Sequence, residues 1–353
     1  MTAALAVAGC LVVYALGYRF YSRYLAEAVF RLDPAAQTPA HALADDVDYV
    51  PTRPAVLFGH HYASITGLAP MLGPAVAVIW GWLPAMLWVV FGALLIGCVH
   101  DFSALVLSVR HRGLSIGAMA QDLLGTRAKL LFHAIIVFGI ALAMGVFVLF
   151  ISKLFDHGAY PQAILPSGGL MIVAATIGLL LHAGRVRLGP AAFVGFLLLL
   201  ALIGLSVRLD RFGVAAEDWP SATSFKITLL GYGFLASVLP VWSLLQPRDF
   251  INSLLLYVGL AGMYVGFFLT GNDFAAPALV LAPEGAPPLF PFVFITIACG
   301  AASGFHALVS SGTTAKQLDR EPHARPIGYG GMPAESLPGL LAVVDCTAGA
   351  LGR

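Results

Sequence analysis

The feature that most constrains this chain is a succession of ten apolar stretches, each close to the length a helix needs to cross a membrane. A hydrocarbon core about 30 Å thick takes roughly 20 apolar residues in a helix. The stretches cover residues 3–18, 56–80, 83–109, 130–152, 168–182, 189–207, 227–245, 250–270, 291–312 and 327–350. Of the 353 residues, 59% are apolar or aromatic and 10% are charged, whereas soluble domains carry about a quarter charged residues. A soluble fold of this size could not cover its exterior with so few charges. The expected class is therefore an all-α, polytopic membrane helix bundle of about 9–10 spans, a single transmembrane domain over 1–353 with lipid as its solvent.

Lys and Arg test the span count independently, because they collect in cytoplasmic loops. Connections after the first, third, fifth, seventh and ninth spans hold fourteen of them: Arg19, Arg23, Arg31, Arg53, Arg110, Arg112, Arg127, Lys129, Arg185, Arg187, Arg248, Lys316, Arg320 and Arg325. The even connections hold four, Lys153, Arg208, Arg211 and Lys226, and Arg353 is the last residue. This alternation puts the odd connections in the cytoplasm and the N-terminus outside. The first stretch lacks a basic leader region and carries its positive charge behind it, so an anchor is expected rather than a cleaved signal. Tyr14, Tyr18, Phe20, Tyr21 and Tyr24 read as an interfacial aromatic belt leading into a short surface helix. Residues 33–54 read as a solvated connector, and 114–125 as a helix lying at the cytoplasmic interface.

A net charge of +1 gives no basic face for nucleic acid. Cys10, Cys98, Cys299 and Cys346 lie singly in apolar runs without CxxC spacing, which argues against a disulfide framework or a zinc site. No Walker loop, HExxH or nucleophile elbow occurs, so neither an ATP-driven pump nor an enzyme has a motif behind it. No cofactor is expected beyond a coupling Na+ or H+.

Several spans are interrupted, which an inert anchor does not need. The second, FGHHYASITGLAPMLGP, holds His60, His61, Ser64, Thr66 and Gly67 before Pro70, Gly73 and Pro74. Proline at mid-depth removes a donor and frees a carbonyl, and hydrocarbon tolerates that only where protein or a watery cavity satisfies the backbone. A helix that stops and restarts inside the bundle is expected, although a kinked packing helix with satisfied histidines fits the same residues. Gly231, Gly233, Pro240 and Pro247 suggest a comparable break in the seventh span, with Arg248 and Asp249 capping its cytoplasmic end. The ninth, ACGAASGFHALVSSGTTAKQL, combines small residues from Gly300 to Gly304, Ser303 among them, with His306 and the hydroxyls of Ser310, Ser311, Thr313 and Thr314. Small residues permit close helix approach, hydroxyls can ligate a hard cation, and histidine can carry a proton. His100 and Asp101 end the third span as coupling candidates, and an acidic residue there needs a partner from another helix. Repeated mid-membrane breaks characterise secondary transporters.

FGHHYASITGLAPMLGP, VHDFSALVLSVRHRG and ACGAASGFHALVSSGTTAKQL, with PFVFITIACG before the last and RPIGYGGM after it, resemble the carbon starvation protein A family. The likeness runs from about Val13 to Met332. It implies a bacterial inner-membrane carrier that imports peptides or pyruvate when carbon is scarce. It also implies two inverted five-helix repeats, over 56–207 and from 225 to 353, preceded by an N-terminal helix and loop over 1–55. Carried over from related carriers, Ser64 and Thr66 would face Ser310 and Ser311 around sodium, with a proton on His60, His61 or His306 as the alternative. Family members usually continue beyond the GYG motif. Here Pro333, Pro338 and Asp345 are expected to spoil the tenth helix and leave the second repeat incomplete. A separately encoded C-terminal half or a homo-oligomer would complete it. A non-transporting sensor or partner subunit, an inactive fragment and a gated channel stay open as alternatives.

Overall fold

A computed structural model describes residues 2–209, 213–271 and 273–348. Arg211, Arg353 and the last two positions of the tenth apolar stretch therefore lie outside the described residues. Those described form helices and their connections, with two isolated backbone bridges, Thr52 to Leu318 and Phe274 to Ala348, in place of any sheet. Among the described residues, six helices are long and apolar enough to cross a membrane: Ala3–Val29, Trp82–Arg110, Thr126–Leu154, Pro161–His182, Leu188–Arg208 and Leu245–Thr270. The second apolar stretch adds a bent pair, Pro54–Ile65 followed by Ala69–Trp80 at an angle of 49°. The aromatic belt does not lead into a separate surface helix. It continues the first span to Val29, through two runs of wider i→i+5 turns at Gly17–Tyr21 and Leu25–Val29.

The chain divides into two compact units, Met1–Met119 with Leu256–Arg353, and Ala120–Leu255. The second contains Thr126–Leu154, Pro161–His182, Leu188–Arg208 and Ala222–Val238. Small clusters hold it together: Leu170, Ile177, Leu199 and Ile251 in one, Ala174, Ala236 and Leu244 in another. Only 6% of the most apolar window of Thr126–Leu154 is buried, which suits a helix facing lipid. The seventh span is not broken at its glycines. Gly231 and Gly233 sit inside an unbroken helix that ends at Val238, and the chain leaves helical geometry at Leu239, just before Pro240. Pro247 falls in the first turn of Leu245–Thr270, where its missing amide costs nothing.

The first unit holds the main core, built on Trp80, Phe102, Leu105, Ile297, Ile327, Tyr329, Met332 and Leu340. The tenth stretch also departs from expectation. Gly330–Thr347 is one helix despite Pro333 and Pro338. A run of i→i+5 turns at Arg325–Tyr329 precedes it, and such turns absorb the backbone mismatch that a proline creates. Neighbouring helices complete the accommodation. Tyr264 donates its hydroxyl to the Leu337 carbonyl at 2.8 Å, and the Ser336 hydroxyl donates to the Pro333 carbonyl at 3.0 Å.

Connections one, three and nine meet on one face of this unit. Arg110 Nε donates to Glu321 Oε1 at 2.6 Å and Arg110 Nη2 to the Phe30 carbonyl at 2.6 Å. The other Glu321 oxygen accepts the Asp33 amide at 2.6 Å. Lys316 lies 3.0 Å from Asp48, and His41 2.9 Å from Asp319. Many residues of the 33–54 segment stay exposed, as a solvated connector requires, and these contacts tie it down. Asp45 folds its middle, accepting the amides of Val47, Asp48 and Tyr49 at 2.9, 2.9 and 2.8 Å, which holds its carboxyl below the usual range. A different set of segments meets around Gly81. The Leu83 amide donates to the Ala278 carbonyl at 3.1 Å, the Val280 amide to Trp80 at 2.8 Å, and the Ala275 amide to Thr347 at 2.8 Å. Gly81 has φ +96°, and a Cβ there would sit 2.4 Å from the Ala278 carbonyl oxygen. Only glycine fits that turn.

Candidate functional site

The second span breaks where the sequence places Gly67 and Pro70. Pro54–Ile65 ends with Thr66 at φ −82°, ψ 81°, and the next helix, Ala69–Ala77, starts with Pro70 in its first turn. Pro74 follows four residues after Pro70 and cannot donate to its carbonyl, so that oxygen loses its helical partner. Two other helices press their smallest residues against it. A Cβ at Gly300 would lie 3.1 Å from the Pro70 oxygen, and one at Gly339 would lie 2.8 Å from it. Close approach of glycine backbone lets weak Cα–H donors reach such a carbonyl. The ninth span is broken as well. Leu289–Thr296, Ala298–Ala302 and Gly304–Val309 are separate helical pieces, and Ser303 at ψ 123° forms the second joint. Ser310–Thr314 then winds as i→i+5 turns, a geometry frequent at functional sites.

These irregular segments bring together two buried carboxylate–imidazole pairs. His61, on the first half of the broken span, places Nε2 3.0 Å from Asp101 Oδ2 and Nδ1 2.9 Å from Thr314 Oγ1. Ser310 donates its hydroxyl to Asp101 Oδ1. Every side-chain polar atom of His61 and Asp101 has a partner. A Cβ at Gly331 would come within 2.9 Å of His61 Cδ2, so the tenth helix closes over the ring. The second pair joins the ninth and tenth spans, with His306 Nε2 3.0 Å from Glu335 Oε1. His306 is 1% exposed and Glu335 not at all. His306 Nδ1 and Glu335 Oε2 are buried without a hydrogen-bond partner. Nearby, the hydroxyls of Tyr62 and Thr66 have no polar partner beyond each other.

The sequence candidates thus separate. His61, Asp101, His306 and Ser310 are core members of the two networks, and His60 and Ser303 are buried beside them in the same unit. Thr66 stands at the break, and Gly67 is exposed with open space around its Cβ position. Ser64 and Thr313 are half-buried, and His100 is half-buried one position from Asp101. The hydroxyls of Ser310 and Ser311 have other partners. Ser310 serves Asp101, while Ser311 donates to the Ala307 carbonyl at 2.6 Å and accepts the Ile116 amide at 3.2 Å. Thr66 has no bond to either serine. Two members of these networks were not singled out from the sequence. Glu335 was given no role there, although an acidic residue in an apolar run is itself a signal. Thr314 was one of four equivalent hydroxyls, and only the turn geometry selects it. In the other unit, Arg248 pairs with Asp249 at 2.6 Å and donates to Tyr232 at 2.8 Å, an arrangement that stabilises a helix start.

Among the described residues no group of three or more His, Cys, Asp or Glu side chains could hold a metal ion. A sequence profile for the carbon starvation protein CstA matches residues 2–351. The peptide transporter CstA of Campylobacter jejuni is 38% identical over 354 residues, covering 96% of this chain and 49% of that protein. The pyruvate/proton symporter BtsT of Escherichia coli is 39% identical over 351 residues, covering 94% and 47%. The peptide transporter CstA of Bacillus subtilis is 34% identical over 354 residues, covering 99% and 58%. The chain therefore spans about half the length of the curated relatives it matches. No solved structure matches it.

Proposed function

Because the chain belongs to the carbon starvation protein CstA family, we propose that it forms the core of a secondary active carrier. The cargo is a small carboxylate-bearing nutrient, a peptide or pyruvate, imported across the bacterial inner membrane during nutrient limitation. The observation that carries this reading is the broken second span with two buried acid–imidazole pairs beside it. Ionisable groups are costly inside a membrane and mark substrate and ion pathways. The start of Ala69–Ala77 puts a positive dipole end at the break, and the Tyr62 and Thr66 hydroxyls add donors. That chemistry suits a carboxylate. A proton is favoured over sodium as the driving ion, because the hydroxyls of Ser310, Ser311 and Thr314 are engaged by protein partners.

In this reading the N-terminus lies outside. The joined connections one, three and nine, rich in Arg and Lys, face the cytoplasm, and their mutual contacts support a common side. Alternating access would move the repeats over 56–207 and from 225 onward about the break. Purified protein in vesicles tests the function. Labelled pyruvate or dipeptide is expected to accumulate above the external concentration under an inward proton gradient. Uptake that only reaches the external level would indicate a channel. No uptake at all would indicate a sensor, a partner subunit or an inactive fragment.

A further inference from the structure

The two buried acid–imidazole pairs differ in completeness. His61–Asp101 has a partner on every side-chain polar atom, supplied by Ser310 and Thr314. His306–Glu335 has one contact and two open positions, Glu335 Oε2 and His306 Nδ1, both buried. A fully satisfied network is rigid, whereas a half-satisfied one is destabilising unless something completes it. The incomplete pair also sits close to interruptions of the helical pattern. His306 is three residues past the joint at Ser303, and Glu335 lies between Pro333 and Pro338.

We propose that Glu335 and His306 form the binding site of the coupling proton, taken up together with the substrate's carboxylate, while His61–Asp101 serves as a fixed positioning strut. This rests on the carrier reading above. Starting from imidazolium and carboxylate, a proton arriving from one face forms an O–H bond at Glu335 Oε2. The contact between His306 Nε2–H and Oε1 remains, and the charge of the pair rises from zero to +1. Release at the opposite face breaks that O–H bond and restores the ion pair, with nothing oxidised or reduced.

An uncompensated charge at that depth is expensive. A substrate carboxylate beside the loaded pair cancels it, so proton and anion enter together and leave together. The groups within electrostatic reach of Glu335 allow this. They are His306 from Gly304–Val309, Asp101 and Cys98 from Trp82–Arg110, Cys299 from Ala298–Ala302, and Tyr62 from Pro54–Ile65. Further along, Tyr264 serves the Leu337 carbonyl, and Tyr14 donates to Val89 beside Ser336. Asp101 is already engaged by His61 and Ser310, which leaves Glu335 as the carboxylate with a free oxygen.

Infrared titration of the protein in lipid vesicles tests the assignment without requiring transport. Wild type is expected to show a protonated-carboxyl band that disappears as pH rises, and the band is expected to be missing in Glu335→Gln. In His306→Gln the band should persist to higher pH, because no imidazolium remains to favour the carboxylate; this shift serves if Glu335→Gln fails to fold. Accumulation driven by a proton gradient should be lost in Glu335→Gln, and pyruvate exchange, which moves no net proton, should lose its pH dependence. A Glu335→Gln protein that concentrates substrate like wild type overturns the proposal. So does the lack of any band assignable to Glu335 over the whole pH range in which the protein stays folded. Wild-type vesicles that neither accumulate nor exchange substrate overturn the carrier reading instead, and the infrared result then decides the proton site alone.

Discussion

His61 Nε2 lies 3.0 Å from Asp101 Oδ2 with both side chains fully buried, one on a half-helix that breaks four residues later and the other near the end of a continuous span. The contact fixes the first half of the broken span against its neighbour. Removing Asp101 leaves the His61 ring nitrogen and the Ser310 hydroxyl buried without this partner, a loss of about 1–3 kcal/mol for each group. Asp101→Ala is therefore expected to lower the unfolding free energy in mixed micelles by that amount. Asp101→Asn, which keeps the shape and part of the hydrogen bonding, should cost less.

Gly73 is the tightest crossing of the broken span, since a Cβ there would sit 2.4 Å from the Thr296 carbonyl oxygen. Backbone cannot move aside as a side chain can. Gly73→Ala is expected to destabilise by about 1–3 kcal/mol through overpacking. Gly139→Ala, in a helix with nothing within 4 Å, is expected to be neutral or slightly stabilising. Parallel thermal melts of the two variants check the contrast.

Much of this architecture was legible in the sequence, for a physical reason. A membrane span is a local property, set by twenty residues of composition, and so is a break at Gly67 and Pro70. The failures came where neighbours decide. Pro333 and Pro338 should end a helix in isolation, yet the turns at Arg325–Tyr329 and the surrounding helices keep Gly330–Thr347 intact. Gly231 and Gly233 looked like a break, but nothing at those positions forces the backbone out of helical geometry. The partners of Asp101 lie 40 and 209 residues away in the chain. No spacing rule reaches that far, so the need for a partner could be read and its identity could not.

Glu321 is buried and carries two contacts that join three connections, Arg110 on one oxygen and the Asp33 amide on the other. Arg110→Ala removes a charge-assisted hydrogen bond of about 1.5–3 kcal/mol and leaves the carboxylate without its cation. Hydrogen exchange is expected to accelerate across residues 31–53 and 316–325, with little change in Thr126–Leu154. Uniform acceleration over the whole chain would contradict a local clasp.

Asp45 supplies a pH response outside the membrane. Its carboxylate accepts the Val47, Tyr49 and Asp48 amides, which lowers its pKa in the folded protein. A depressed carboxylate contributes order that is fully present above the unfolded pKa and is lost as pH falls through the folded one. Amide protection at Val47, Asp48 and Tyr49 is expected to survive mild acidification and to disappear below the usual carboxylate range. Asp45→Asn should weaken protection at neutral pH and remove most of its pH dependence.

Thiol labelling at the break in the second span tests most directly whether each face of the membrane reaches it in turn. With Cys10, Cys98, Cys299 and Cys346 replaced, Thr66→Cys in right-side-out and inverted vesicles is treated with a membrane-impermeant maleimide. Labelling from both faces, slowed by saturating pyruvate or dipeptide, is the expected result. Labelling from neither face, or from one face only whatever the substrate or gradient, would contradict the account.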